Sequence, residues 1–308
     1  MRRNQRGMNR ERWPRPILKW AGGKTQILSE LTDNAPEKFK TYFEPFFGGG
    51  AFFFHLYKER GFDEAVISDL NTDLISLYKI VKNNVHELIA ELEGSEYEND
   101  KKKYYSARKE FNRAKSQGEQ SVKQAARMVF LNRTCFNGLY RVNSRGEFNV
   151  PFGRYKNPQI LDERNLIAVS LALSEVKILN VDFKIAVSKA RKKDFVYFDP
   201  PYLPVSETAW FTAYTKDGFS LEEQERLSRV FRDLDNKGCF VLESNSAIEE
   251  IRELYEGYSI IEVLAARAIS SNGSTRGKIP ELLIMNYTPN RNQKDKQQDS
   301  VQSLLEEY

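Results

Sequence analysis

Short runs of β-branched and aromatic residues recur along this chain, and stretches with apolar residues at helical spacing separate most of them. The runs occupy residues 41–46, 65–68, 176–180, 194–199, 239–244, 259–265 and 281–287. Strands alternating with helices predict a parallel α/β sheet, because parallel neighbours need a crossover connection and a helix is the usual one. Residues 221–235 and 248–255 carry clear helical stretches. The last two runs have only the polar stretch 270–278 between them. They read as a long β-hairpin that closes the sheet and makes it mixed.

The rhythm breaks between about residues 85 and 160, where helical stretches rich in Lys and Glu lead into RTCFNGLYRVNSRGEFNVPFGRY at 133–155. This second part carries Gly, Asn and Arg among aromatics, and Gly146 fits a turn between two short strands. Strands resume afterwards, so the segment reads as an insertion. The expected organisation is residues 1–84 as the first part of an α/β domain, 85–160 as a mainly helical insert with a short hairpin, 161–289 as the second part, and 290–308 as a polar tail.

Charge is unevenly spread along the 308 residues. Residues 1–24 carry a net +7 and residues 101–160 a net +11, on a chain of only +4 overall. The rest is therefore acidic. Two basic regions on an otherwise acidic protein predict a polyanion partner. Cys135 and Cys239 are too few for a disulfide framework, and with two histidines they make a Cys/His metal site a poor expectation. No apolar run reaches the length of a membrane span, and the charged N-terminus lacks the apolar region of a signal peptide. A cytoplasmic protein with reduced thiols and no membrane association is expected.

Three motifs carry chemistry. In YFEPFFGGGA (42–51) an apolar strand runs into three glycines and a helix. Glycines there let a ligand approach the backbone, and the helix start offers N–H groups; a tight turn without a ligand is the other reading. About twenty residues on, ISDLNTD (67–73) places Asp69 where a carboxylate can accept a pair of ribose hydroxyls, while Asp73 fits the N-cap of the helix that follows. Together the two motifs point to a nucleoside cofactor. The third, DFVYFDPPY (194–202), is an apolar strand ending in Asp-Pro-Pro-Tyr. Two prolines cannot continue a ladder, so the chain turns out at the strand end where α/β sheets carry ligands. The turn would fix the Asp199 carboxylate and the Pro200 carbonyl beside Tyr202. A flat ring could stack on Tyr202 while its NH2 donates to both oxygens.

These residues resemble the Dam-type DNA adenine-N6 methyltransferases, in which the cofactor motif precedes the recognition insert and Asp-Pro-Pro-Tyr follows it. The resemblance covers nearly all of residues 15–288, through LKWAGGK (18–24), FEPFFGGGA (43–51), SDLNTDL (68–74), NRTCFNGLYR (132–141), FNVPFGRY (148–155), VDF (181–183), DPPY (199–202) and SNGSTR (271–276). It implies a Rossmann-like methyltransferase sheet with a DNA-recognition insert at 85–160. It implies S-adenosylmethionine as cofactor, with S-adenosylhomocysteine as product and no metal. Cofactor contacts would come from Trp20, Lys24, Phe47, Gly48, Gly50, Asp69, the Asp182–Phe183 pair and Asp199, and catalysis from Asp199, Pro200 and Tyr202. The family's preferred DNA site is GATC. Its base-reading arginine matches Arg141, its intercalating aromatic matches Phe136, and Lys19, Arg133, Asn137, Leu139, Pro151, Arg154 and Tyr155 fall at further DNA contacts. Phe136 lacks the hydroxyl that some relatives carry as Tyr. A prokaryotic or phage-type enzyme acting on double-stranded DNA is implied, in some cases beside a restriction endonuclease of the same specificity.

The residue chemistry agrees with the resemblance. Arg suits guanine O6 and N7, and Arg127, Arg133, Arg145, Arg154 and Lys156 flank Arg141 as candidates for phosphate. An exocyclic adenine amine is a poor nucleophile because its lone pair is shared with the ring. Acceptors for both hydrogens would free that pair, and a base inside a duplex must be flipped out to be reached. Cytosine N4 transfer follows the same amine logic and is the alternative reaction. A cytosine C5 enzyme needs a cysteine, usually after proline, and Cys135 follows Thr134 while Cys239 follows Gly238. A protein-glutamine methyltransferase would carry Asn at position 199. A DNA-binding protein that keeps the fold without catalysis is the alternative from another class.

Overall fold

The computed structural model describes residues 13–203, 219–266 and 278–289. The motif at 271–276, the first twelve residues and the tail at 290–308 lie outside the described residues. Each of the seven apolar runs forms a strand: β1 (Thr41–Glu44), β2 (Glu64–Ser68), β3 (Val176–Leu179), β4 (Phe195–Phe198), β5 (Phe240–Ser246), β6 (Ser259–Ala266) and β7 (Lys278–Met285). The described helices are α1 (Leu28–Asn34), α2 (Ala51–Glu59), α3 (Thr72–Asn83), α4 (Val85–Leu92), α5 (Lys101–Ser116), α6 (Val122–Thr134), α7 (Glu163–Leu173), α8 (Phe183–Ala186), α9 (Leu221–Asn236) and α10 (Glu249–Leu254). The mixed α/β class follows from this alternation.

The chain divides into two compact units, one of Met1–Gly23 with Pro45–Ala186 and one of Lys24–Glu44 with Val187–Tyr308. In the first, β2 and β3 pair in parallel from Ala65↔Val176 to Ser68↔Leu179. The helix α6 packs against α3, α4 and α5. Ten of its thirteen residues are consequently buried, polar ones among them. A second apolar centre forms where Phe47 meets Phe53, Phe54 and Tyr78 edge-on. These rings are almost fully buried, and each contributes on the order of 1.5–3 kcal/mol.

In the second unit the strand order is β1-β4-β5-β7-β6. The first three strands are parallel and the last two antiparallel, with β7 between β5 and β6. This is the mixed sheet with a closing β6–β7 pair expected from the sequence. All four residues of β4 are buried, as a central parallel strand requires. The helices α9 and α10 flank β5, and Ser220 caps α9 by accepting the Glu223 N–H at 3.3 Å.

Candidate active site and nucleic-acid interface

The glycine motif lies in the first unit, between the expected strand and α2. Phe47 N–H donates to the Ser68 carbonyl at the end of β2 (2.9 Å), and Gly50 N–H closes the turn on the Phe47 carbonyl (2.7 Å). Two glycines are obligatory. Gly50 has φ +67°, and a Cβ there would sit 2.5 Å from Cζ of Phe47. Gly48 has φ +48°, and a Cβ there would sit 2.8 Å from Cδ1 of Trp20. Both are left-handed conformations that side chains rarely adopt. Trp20 therefore lies directly on the turn, and its other neighbour is Tyr140, stacked at 5.2 Å and 28°. Tyr140 is anchored through its hydroxyl, which donates to Asp73 Oδ2 at 2.5 Å and accepts from Lys115 Nζ at 2.9 Å. Lys115 also pairs with Asp73 at 2.6 Å. Nothing in the local sequence signals this cluster.

Asp69 holds the turn. Its Oδ2 accepts the Gly48 N–H (2.9 Å) and its Oδ1 the Asn71 N–H (2.8 Å). Burial pushes its carboxyl above the ordinary value, against those two amides. Each oxygen keeps a lone pair, so the carboxylate fits a hydroxyl pair as well as the turn. The Asn180 side chain donates to the Asp69 carbonyl at 2.8 Å and Ser68 Oγ to the Val181 carbonyl at 2.9 Å. These ties bring residues 180–183 to the end of β2. Phe183 is buried against Phe46, and Asp182 Oδ1 accepts the Lys184 N–H at 3.0 Å. The helix cap differs from the sequence reading. Asn71 caps α3 by accepting the Leu74 N–H, and Asp73 stands inside the first turn. Both types cap well, and only the fold decides between them.

The segment 132–156 forms a short irregular hairpin. Isolated bridges join Cys135 to Phe152 and Val142 to Phe148, and the turn closes at Gly146, φ +76°, as expected. Buried Asn132 ties the hairpin to the N-terminal segment, donating to the carbonyls of Lys19 and Gly138, both at 2.9 Å. Lys19 Nζ donates to Tyr155 Oη at 3.0 Å and stands 4.2 Å over that ring. Arg141 is exposed, and its Nε donates to Asn149 Oδ1 at 2.8 Å. Phe136 is half exposed, at 50%. Asn137, Pro151 and Arg154 are exposed, and Leu139 is half-buried.

One of the expected phosphate contacts is corrected. Arg127 is buried and donates to Gln124 at 3.4 Å. Arg133 donates to the Ile17 carbonyl, and burial lowers its guanidinium pKa. Both lie on α6, where Arg127 faces the packed neighbours and Arg133 is half-buried. Arg145 is exposed but paired with Glu147 at 2.8 Å.

The Asp-Pro-Pro-Tyr turn follows β4 in the second unit, and Lys24 lies there with it. Lys24 is 6% exposed, and its Nζ lies 2.8 Å from Asp199 Oδ1. The same ammonium is 4.0 Å from Glu281 Oε2 and 4.5 Å over the Tyr202 ring. Tyr202 Oη donates to Glu281 Oε2 at 2.9 Å. Ser244 Oγ, on the adjacent β5, donates to Asp199 Oδ1 at 3.1 Å and exchanges a hydrogen bond with Tyr197 Oη at 2.9 Å. Burial raises the Asp199 carboxyl, and Lys24 and then Ser244 act against it. Glu281 is raised by burial as well. Glu281 and Ser244 have no motif around them and were not legible in the sequence. The expected Lys24–cofactor contact thus stands beside a Lys24–Asp199 ion pair.

The description of one sequence family, D12 class N6 adenine-specific DNA methyltransferase, matches residues 20–269. The chain belongs to this family. Among its relatives, the type II methyltransferase M.MjaIII of Methanocaldococcus jannaschii is 48% identical, over 89% of this chain and 99% of its own. The type II methyltransferase M1.LlaDCHI of Lactococcus lactis subsp. cremoris is 45% identical, over 89% and 95%. The DNA adenine methylase of Escherichia coli K12 is 38% identical, over 89% and 96%. This D12-class chain is an adenine-specific DNA methyltransferase, acting at N6 of adenine. Among its described residues no group of three or more His, Cys, Asp or Glu is placed to hold a metal ion, and no helix is long and apolar enough to cross a membrane.

Proposed function

We propose that the chain methylates adenine N6 within GATC in double-stranded DNA, using S-adenosylmethionine and releasing S-adenosylhomocysteine, with the target base flipped out of the helix. The observation that carries this reading is the way Asp199 is held. Lys24 and Ser244 both engage Oδ1, and the side chain is 20% exposed, which leaves Oδ2 for an incoming amine. The cofactor supplies a methyl group on a sulfonium. Asp199 Oδ2 and the Pro200 carbonyl accept the two amine hydrogens and favour a nitrogen with a free lone pair. Tyr202 stacks on the base, its hydroxyl held by Glu281. Positioning and charge placement carry the rate.

The remaining roles follow the family pattern. The turn at Gly48 and Gly50, with Phe47 behind it, would lie against the cofactor with Trp20, Asp69 would hold the ribose, and Asp182 with Phe183 the adenine. The Gly48–Trp20 contact and the half-buried Asp69 carboxylate suit such a group. Residues 85–160 serve as the target-recognition part, and 1–84 with 161–289 as the catalytic part. Arg141 reads guanine, Phe136 props the base stack, and Lys19, Asn137, Leu139, Pro151, Arg154 and Tyr155 supply further contacts. GATC is supported by the resemblance at Arg141, and adenine as the target by the relatives named DNA adenine methylase. A partner restriction endonuclease is supported by the relatives named type II methyltransferases. Tritiated methyl transfer onto short duplexes tests the reading. Incorporation should require GATC and vanish when its adenine is replaced. Equal incorporation without GATC would overturn the specificity, and label in cytosine would overturn the target.

A further inference from the structure

The Asp-Pro-Pro-Tyr turn has a structural weakness. Pro200 and Pro201 carry no N–H, so the backbone there cannot be pinned by its own donors. It can be held only through its carbonyls. One of these, on Pro201, accepts from Gln224 Nε2 of α9 at 3.2 Å. Gln224 is fully buried, at 0% exposure.

The orientation of Gln224 is set by a chain of donors and acceptors behind it. Its Oε1 accepts from Asn245 Nδ2 at 2.9 Å, which obliges Nε2 to face Pro201. Asn245 is itself oriented. Its Nδ2 donates also to Glu243 Oε1 at 2.8 Å, and its Oδ1 accepts the Ser246 N–H at 2.8 Å. Glu243 Oε2 accepts from Tyr255 Oη at 2.6 Å. Ionised Glu243 only accepts, so above about pH 7 every amide in the chain has one permitted orientation. Glu243 and Asn245 are both fully buried. On β5 they alternate with Ser244, so they lie on the opposite face of the strand from the residue that touches Asp199. A fully satisfied polar network in a core is rigid and specifies one arrangement, while apolar packing would cost less.

We infer that Gln224 is a positioning residue for methyl transfer: oriented by Asn245 and Glu243, it fixes the Pro201 carbonyl and so the reach of Asp199 and the Pro200 carbonyl toward the amine. The inference rests on the proposed role of Asp199. Its test is single-turnover methyl transfer by the full-length chain at saturating S-adenosylmethionine and duplex. Gln224→Met keeps the bulk and removes the donor. The rate should fall roughly ten- to a hundredfold, the scale of a misplaced reacting group. Cofactor and duplex affinities should stay within about twofold, since the lost contact serves the transition state. If Gln224→Met does not fold, Gln224→Leu carries the same test, because it removes the donor without placing a carboxyl in the core. Asn245→Ala should also slow transfer, and the Gln224→Met/Asn245→Ala double variant should be no slower than Gln224→Met alone, since both act through one contact. A rate near wild type, an equal loss of duplex affinity, or additive losses in the double variant would each overturn the positioning role. Asp199→Ala, run beside them, separates the two claims. If it stays active, the reading of the turn fails; if it is dead while Gln224→Met is unaffected, only the positioning role fails.

Discussion

Among the described residues Lys24 is the cation beside two half-buried carboxylates, and replacing it with Met should shift the pH dependence of the reaction. Its Nζ is 2.8 Å from Asp199 Oδ1 and 4.0 Å from Glu281 Oε2. Two unit charges at the shorter distance attract by about 6 kcal/mol at an effective dielectric constant of roughly 20, which is an upper bound on what the pair contributes. Cations this close typically lower a carboxyl pKa by roughly one to three pH units, or about 1.4–4 kcal/mol. The sign is fixed by the chemistry. Burial already raises Asp199, and Lys24 is the largest force against that rise. Without it the carboxyl rises further, and less of it is ionised to accept the amine hydrogen. The acid limb of the kcat–pH profile should therefore move to higher pH by roughly one to three units in Lys24→Met. Saturating cofactor removes any effect on its binding, and rate should partly return in alkaline buffer. An acid limb that coincides with wild type would refute the view that Lys24 tunes Asp199.

Further outcomes follow from the same geometry. Gly50→Ala should cost roughly 1–3 kcal/mol in thermal denaturation, because a Cβ at φ +67° meets the Phe47 ring at 2.5 Å, and Gly49→Ala should cost less because its contact is 3.2 Å without a positive φ; the reverse order would show that the turn is misread. Burial raises the Glu243 carboxyl from 4.5 to about 7, so the folded state holds a proton that the unfolded state releases in that window. Stability should therefore fall as pH rises from about 4.5 to about 7 and level off above, and Glu243→Gln should remove up to roughly 3 kcal/mol of that fall; chemical denaturation with an unchanged slope would place the proton elsewhere. Arg141→Ala should cost roughly 1–3 kcal/mol on GATC duplexes and much less on unrelated DNA. Arg154→Ala should weaken both alike and flatten the salt dependence, and binding isotherms at several salt concentrations distinguish the two patterns.

The strands were legible because aromatic and β-branched runs have few alternatives, and even the β6–β7 pairing followed from a polar sequence between them that lacks helical spacing of apolar residues. The Asp-Pro-Pro-Tyr turn and the glycine turn were legible because prolines and positive-φ glycines leave a mark in the sequence itself. The partners of these motifs were not. Lys24 and Asp199 lie far apart in sequence, and Glu281 is a lone acid within an apolar strand, so only tertiary contact joins them. Arg127 misled for the opposite reason. It sits in a basic segment, yet α6 is enclosed by its neighbours and turns it inward. Asn71 and Asp73 are equally good caps by type, and only the start of α3 separates them. Tyr140 reads as one more aromatic of the insert until its ring is found stacked on Trp20.

The most direct measurement compares Asp199→Ala with wild type in a single turnover, with the duplex digested to nucleosides and analysed by mass spectrometry. Wild type should convert the GATC adenine to N6-methyldeoxyadenosine. Asp199→Ala should be slower by at least about a hundredfold, the scale of losing one preorganised group at a reacting centre, with a native circular dichroism spectrum. A variant within a few-fold of wild type would mean that Asp199 does not hold the amine.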